Sequence, residues 1–249
     1  MFVSASTDCF AELPLMEAIE KLEEFEYSCV EIAIHENGIQ LKPSEVAANL
    51  ERAVNLCRLT HRLDLAAYSV EFGVEGEEAY RQFQAICRLA KATKVVTLTI
   101  RTSEQGTPFN EEVERLRKLV AIATVEGVRV AIRNEAGRIS EDVGTITVLC
   151  DHVEGLGLAL DPSHFVFGPQ AGKNYDPLLK YVYHVILRDT SEQAFQVRVG
   201  QGLIEYGRLV STLERVGYDR ALSVHVLPQA DLDHIGELRK MRLLLESLL

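Results

Sequence analysis

Short runs of apolar or β-branched residues alternate with longer amphipathic stretches along the whole chain of 249 residues, and this alternation constrains the fold more than any other feature. Residues 2–6 predict a first strand. A helix starts near Pro14, where proline suits an opening turn and Leu15, Ile19 and Leu22 recur at helical spacing. A second strand, CVEIAIH at 29–35, precedes a single expected helix over 43–59, with Val46, Leu50, Val54 and Cys57 on one face. LDLAAYSV begins a third strand at Leu63; a helix bearing Tyr80, Phe83, Ile86, Cys87 and Ala90 leads to VVTLTI at 95–100. The next helix is expected over 110–126, with Asn110 as its cap.

The second half repeats the scheme. VRVAI from Val128, GLALD from Gly157, YVYHVIL from Tyr181 and the late LSVHVL predict four more strands. Helices are expected at 140–151, around Asp176, at 203–216 and at 231–249, the last carrying Leu238, Met241, Leu244, Leu245 and Leu248. Near-continuous apolar strands separated by helices suit a parallel sheet buried on both faces. Eight such units close a barrel, so the expected fold is a single-domain (β/α)8 TIM barrel over residues 1–249, with an open doubly wound sheet as the alternative. No linker or composition shift marks a second domain.

Hydrophobic residues make up 47% of the chain and charged residues 25%, which excludes disorder. The net charge of −11 opposes attraction to a phosphate backbone, and no basic run offsets it, so nucleic acid is not an expected partner. A small-molecule substrate is expected instead, and assembly into a homo-oligomer stays open. The cysteines, Cys9, Cys29, Cys57, Cys87 and Cys150, lack metal-ligand spacing and suit buried thiols in a reducing cytoplasm. The first residues show no basic segment, apolar stretch and cleavage site in succession, and no apolar run reaches membrane-span length. Neither secretion nor membrane contact is expected.

In a barrel of this kind the functional groups sit at the C-terminal ends of the strands. Read by position, the candidates are Glu31 and His35, Tyr68 and Glu71, Thr99 and Arg101, Arg133 and Glu135, Asp161 and His164, His184, Arg188 and Asp189, and His225. Residues two apart share a face, which couples Arg133 with Glu135, and His184 with Ile186 and Arg188. A charged Arg133 in mid-barrel needs Glu135, Asp161 or a bound anion as partner, and its role is either substrate binding or a structural ion pair.

LALDPSHF is the strongest local signal. It sets Asp161 at a strand end and His164 one tight turn later, suited to sharing a metal or to a carboxylate orienting an imidazole acid/base. His225 in the last strand reads equally as a site residue or as a buried neutral imidazole. Glu135, His184 and Arg188 join Arg133 as candidate substrate contacts. Arg198, ahead of the QVRVGQG loop, is a further candidate to grip a substrate oxygen, while Gly200 and Gly202 read more simply as a turn than as an anion cradle.

The segments EAIEKLEEFEYSCVEI, GVRVAIRN, GLGLALDPSHF, YVYHVILRD and VGQG…GYDRALSVHV together resemble the xylose isomerase-like barrel family, almost end to end. That family contains sugar-phosphate isomerases and epimerases, inositol-catabolism enzymes and, more remotely, an apurinic endonuclease branch. The resemblance implies a sugar isomerase or epimerase. It also implies a divalent metal such as manganese, magnesium or zinc on a Glu, an Asp, a His and a second Glu of the last four strands. Those positions fall on Arg133, Asp161, Ile186 and His225, so only Asp161 keeps its type. His164 matches the substrate-side histidine, and Arg198 a substrate-binding arginine. A shifted ion site would need Asp161 with His164, His225 or Glu135. The resemblance leaves two readings: proton transfer on a small polyhydroxylated or keto-sugar substrate at an altered site, with Asp161, His164 and His225 catalytic, or a degenerate barrel that binds a small sugar acid or carboxylate as sensor or scaffold. An endonuclease role is opposed by the charge.

Overall fold

In the computed structural model, which describes residues 1–230 and 232–249, eight parallel strands close into a barrel in the order β1 to β8. The strands are β1 (Phe2–Ser6), β2 (Cys29–His35), β3 (Asp64–Glu71), β4 (Thr97–Ile100), β5 (Arg129–Arg133), β6 (Leu156–Leu160), β7 (Val182–Leu187) and β8 (Ala221–Val224). β8 pairs back onto β1, with Ser223 opposite Ser4. The helices are α1 (Leu15–Glu24), α2 (Pro43–Ala48), α3 (Leu50–Arg58), α4 (Gly76–Thr93), α5 (Phe109–Val125), α6 (Val143–His152), α7 (Tyr206–Arg215) and α8 (His234–Glu246).

Several boundaries depart from the sequence expectation for local reasons. The single helix expected over 43–59 breaks at Asn49 (φ −149°, ψ 84°), whose side chain accepts from the Arg52 N–H at 3.0 Å and so caps α3. Asn110 is not a cap: α5 starts at Phe109 directly after Pro108, so Asn110 lies inside its first turn. Asp142 caps α6 at the Thr145 N–H, 3.0 Å away, which delays that helix to Val143. The segment around Asp176 is a 3-10 turn, Asp176–Tyr181, and no α-helix joins β6 to β7. Asp233 caps α8 at the Gly236 N–H, and the expected helix start at 231 lies outside the described residues.

Both faces of each strand are buried, as expected, but they differ in chemistry. The outward face supplies aliphatic side chains such as Val30, Ile32, Ile34, Leu98 and Ile100, packed with Ile19, Leu22, Phe83, Ile86, Leu116 and Leu119 of the helices. Full burial of a side chain of that size contributes roughly 1.5–3 kcal/mol. The inward face is small or polar: Ser4, Glu31, Ser69, Thr99 and Ser223 are fully buried there, and Ala131, Ala159 and Ile186 form a separate apolar cluster with Tyr183. Gly157 is required in that packing, because a Cβ on it would lie 2.1 Å from the Tyr183 ring. A barrel lined by short side chains leaves room for a few large ionisable ones near its mouth.

Candidate active site

The C-terminal strand ends and the loops beyond them enclose a cavity of 390 Å³, lined by Asp8, His35, Glu71, Arg101, Arg133, Asn134, Glu135, Asp161, His164, Ile186, Arg188, Phe195 and His225 among others. The period of two along each strand puts Glu71, Arg101, Arg133, Asp161, Arg188 and His225 at one level of the barrel, each just above a shorter inward residue. Three guanidiniums, four carboxylates and three imidazoles therefore share one concavity.

On the side formed by β3, β4 and β5, Glu71 is the hub. It meets Arg133 at 3.2 Å through Oε1, Arg101 at 3.1 Å through Oε2, and His35 Nε2 at 3.8 Å. Arg133 also donates to Ser69 Oγ, which lies 2.9 Å from His35 Nε2. The remaining charges close the lattice: Arg101 contacts Glu135 at 3.0 Å, and Asp8 reaches His35 Nδ1 at 3.4 Å. Arg133 therefore pairs with Glu71, not with Glu135 or Asp161 as expected. Burial lowers the His35 pKa against the pull of Asp8 and Glu71.

Asp161 follows the last residue of β6. Its backbone is pinned by Asn134, whose amide donates to the Asp161 carbonyl at 2.8 Å and accepts from its N–H at 2.7 Å. Its carboxylate accepts from the Ser163 N–H at 3.0 Å and meets Arg188 at 3.0 Å. Burial alone would raise this carboxyl, but Arg188, His164 and the Ser163 hydrogen bonds outweigh it and hold the group below the usual carboxylate range. His164 stands in the 3-10 turn Pro162–Phe165, and its ring packs on Phe195 at 4.8 Å between centroids. The Arg188 guanidinium covers the same Phe195 ring at 4.6 Å. Burial lowers the His164 pKa, with Asp161 opposing, so the imidazole is neutral near pH 7 and able to accept a proton.

Beneath the mouth lies a third group. Glu31, fully buried on β2, receives three side chains on Oε2: His184 Nε2 at 2.7 Å, Ser223 Oγ at 2.5 Å and His225 Nε2 at 3.3 Å. Burial would raise its carboxyl; His184 and then His225 outweigh that and keep it well below the usual range.

The structure thus brings Asp161, His164, His225, Arg133, Glu135 and Arg188 to one cavity and leaves two expected contacts outside it. His184 is buried below, donating to Glu31, because its place along β7 is two inward steps deeper than that of Arg188, with Ile186 between them. Arg198 is exposed in the loop ahead of α7 and does not line the cavity. Tyr68 points outward, its hydroxyl 2.7 Å from Thr93 Oγ1 of α4. Asp189 builds the glycine loop, accepting from the Gly200 and Gly202 N–H groups at 2.7 and 3.0 Å, so those groups are unavailable to an anion. A Cβ on Gly202 would meet the same carboxylate at 1.9 Å. Asn134, Phe195 and Asp8 line the site without having been singled out. Asn134 carried a usable signal as an amide directly after a buried strand.

A family model described as xylose isomerase-like TIM barrel matches residues 19–241. The chain belongs to the xylose isomerase-like TIM barrel family. Three solved structures of similar fold are a xylose isomerase-like TIM barrel protein from Mycobacterium smegmatis in complex with magnesium, the IOLI protein with a bound zinc atom, and 3-keto-D-glucoside 4-epimerase, YcjR, from E. coli. The first is 13% identical over 100% of this chain and 98% of its own, with a TM-score of 0.78. The second is 19% identical over 100% and 99%, with a TM-score of 0.75, and the third 13% over 99% of each, with a TM-score of 0.76. No match was found among curated proteins.

Within this xylose isomerase-like barrel the donor set does not fit a divalent ion. Of the positions that the resemblance assigns to ligands, one carries the Arg133 guanidinium and another the apolar Ile186, while Asp161 is engaged by Arg188 at 3.0 Å. Among the described residues, no three of His, Cys, Asp and Glu are grouped to hold an ion, so the set of Asp161 with His164, His225 or Glu135 is not assembled. Three guanidiniums, on Arg101, Arg133 and Arg188, bring fixed positive charge to the cavity instead.

Proposed function

We propose that the protein is a sugar isomerase or epimerase type of enzyme that moves a proton beside the carbonyl of a small polyhydroxylated or keto-sugar substrate, at a site altered from a metal-ligand set. One observation carries the reading: His164 and His225, both capable of accepting a proton, line the same 390 Å³ cavity as Arg133 and the Asp161–Arg188 pair. That volume suits a molecule of sugar size. A base and a charge stabiliser facing one concavity are the minimum for enolisation.

In this mechanism His225 removes the proton from the carbon beside the carbonyl, and the C–H pair becomes the C=C of an enediolate. Arg133 faces the oxygen on which negative charge develops, and a guanidinium does so without exchanging protons. Arg188 keeps Asp161 ionised and fixed, so that Asp161 orients a substrate hydroxyl or His164. For an isomer the His225 imidazolium returns the proton at the neighbouring carbon. For an epimer His164 takes a proton from solvent and delivers it from the opposite face, while His225 releases its own proton to solvent, which restores both residues. Membership of the xylose isomerase-like TIM barrel family, together with a fold similar to that of 3-keto-D-glucoside 4-epimerase, supports the substrate class. All five cysteines are free and buried, which supports a reducing cytoplasm as its location. Among the described residues no helix is long and apolar enough to cross a membrane.

The test is a screen of aldoses, ketoses and keto-sugars for carbon-bound deuterium exchange in D₂O, followed by NMR. Exchange by the wild type and its loss in folded Asp161→Ala and His164→Ala variants is expected. Retained exchange in both variants contradicts the roles given to these residues. A second reading, a barrel that binds a small sugar acid or carboxylate without turnover, is favoured by the replaced ligand positions and by Arg133 and Arg188 being already paired with carboxylates. Tight binding by calorimetry with no exchange on any sugar would select it.

A further inference from the structure

Glu31 is the most deeply placed carboxylate near the site. It is 0% exposed, yet it does not line the cavity; only His225, one of its three donors, connects it to that space. A carboxylate in such a position costs several kcal/mol of desolvation unless its partners compensate, and here they gather on one oxygen, leaving Oε1 without a hydrogen-bond partner. An ionised carboxylate only accepts hydrogen bonds, so each imidazole facing it carries a proton on Nε2, and in the neutral form that leaves Nδ1 bare. For His225 that choice has a second effect. Its backbone N–H is held by the Leu187 carbonyl at 2.8 Å, and its ring turns Nε2 inward, so Nδ1 is the nitrogen left to serve the cavity.

We infer that Glu31 is a positioning residue that fixes the His225 tautomer and orientation, with Nε2 protonated toward the barrel interior and Nδ1 as the proton acceptor for a ligand in the cavity. His184 and Ser223 hold the carboxylate in place from β7 and β8, so its geometry does not depend on His225 alone. The catalytic part of this inference rests on the proton-transfer reading above. In that reaction the substrate C–H bond breaks, the proton binds Nδ1, and the electron pair stays on the substrate as an enediolate. The imidazolium so formed is stabilised by the Glu31 charge, which itself takes no proton, and the proton later leaves Nδ1 for carbon or solvent.

The experiment is nitrogen NMR of protein labelled with ¹⁵N-histidine, above the ordinary histidine titration range, with the His225 signals assigned by their loss in His225→Gln. The wild type is expected to show Nε2 protonated and Nδ1 unprotonated. In Glu31→Leu, which removes the acceptor at similar volume, His225 should lose that single tautomer. A protonated Nδ1 in the wild type, or an unchanged tautomer in Glu31→Leu, overturns the inference. Should Glu31→Leu fail to fold, Glu31→Gln decides beside the wild-type spectrum: it keeps an acceptor oxygen without the charge, so the tautomer should persist while kcat falls at least tenfold with little change in KM. An equal kcat in Glu31→Gln would overturn the stabilising role. If the wild type turns over no sugar, the proton-transfer reading fails, and the spectra judge the positioning of His225 by themselves.

Discussion

On the β3–β4–β5 side of the mouth, Glu71 holds Arg101 and Arg133 at 3.1 and 3.2 Å; on the β7–β8 side, Glu31 holds His184 and His225 at 2.7 and 3.3 Å. Glu71 has two guanidiniums as its nearest partners, with His35 farther off at 3.8 Å, and Glu31 has two imidazoles, so the close partners differ in what they can release. A guanidinium stays protonated throughout the working range, whereas an imidazole changes charge near neutrality. The two arginines of the first side can therefore bind and neutralise but cannot shuttle, whereas the histidines of the second can. Burial follows the same division: Glu71 is half-buried at the rim and Glu31 is sealed within the barrel.

The largest expected effect comes from the shuttling side. His225→Ala should lower kcat by about 10²- to 10⁴-fold, the range for a positioned acid or base, and should alter the pH–rate profile. Next is Arg133→Met, expected to lower kcat/KM by about 10²-fold, as for loss of one fixed charge stabiliser, while leaving both limbs of the profile in place. A profile that moves in Arg133→Met and stays fixed in His225→Ala would reverse the division of labour.

Acid should weaken the fold on both sides. His35 and His164 have lowered pKa values, so below about pH 6.5 the unfolded chain binds more protons than the folded one. Stability is then fully present above that range and declines as pH falls through it. Asp161 and Glu31, held low in the fold, add a further loss as pH drops below about 4. Urea midpoints at successive pH values check this, and a midpoint that rises on acidification contradicts it. The smallest effect is Lys118→Ala on the outer surface, where the contact to Glu77 is solvent-exposed; a change under about 0.5 kcal/mol is expected from the same urea titration.

The barrel was legible because the outward residues of its strands, such as Val30, Ile32 and Ile34, must be aliphatic to pack on the helices, and that demand repeats in every unit. Asp161 and His164 were legible for a local reason, since Asp-Pro-Ser-His encodes its own turn. Depth along a strand is not local. His184 shares a face with Arg188, and only the closed barrel shows that one reaches the cavity while the other meets Glu31. The Glu71 hub was equally hidden, because its partners come from different strands. Glu31 did leave a signal: a carboxylate between Val30 and Ile32 in a strand buried on both faces needs partners. The sequence alone could not say that two histidines from the other end of the chain supply them.

The most direct test of the central claim, that residues of this mouth move a proton with arginine charge in place of a divalent ion, is deuterium exchange into a turned-over sugar before and after exhaustive chelation. The account predicts wild-type exchange that survives chelation and is lost in His225→Ala. Exchange that disappears on chelation and returns with manganese, magnesium or zinc would contradict it.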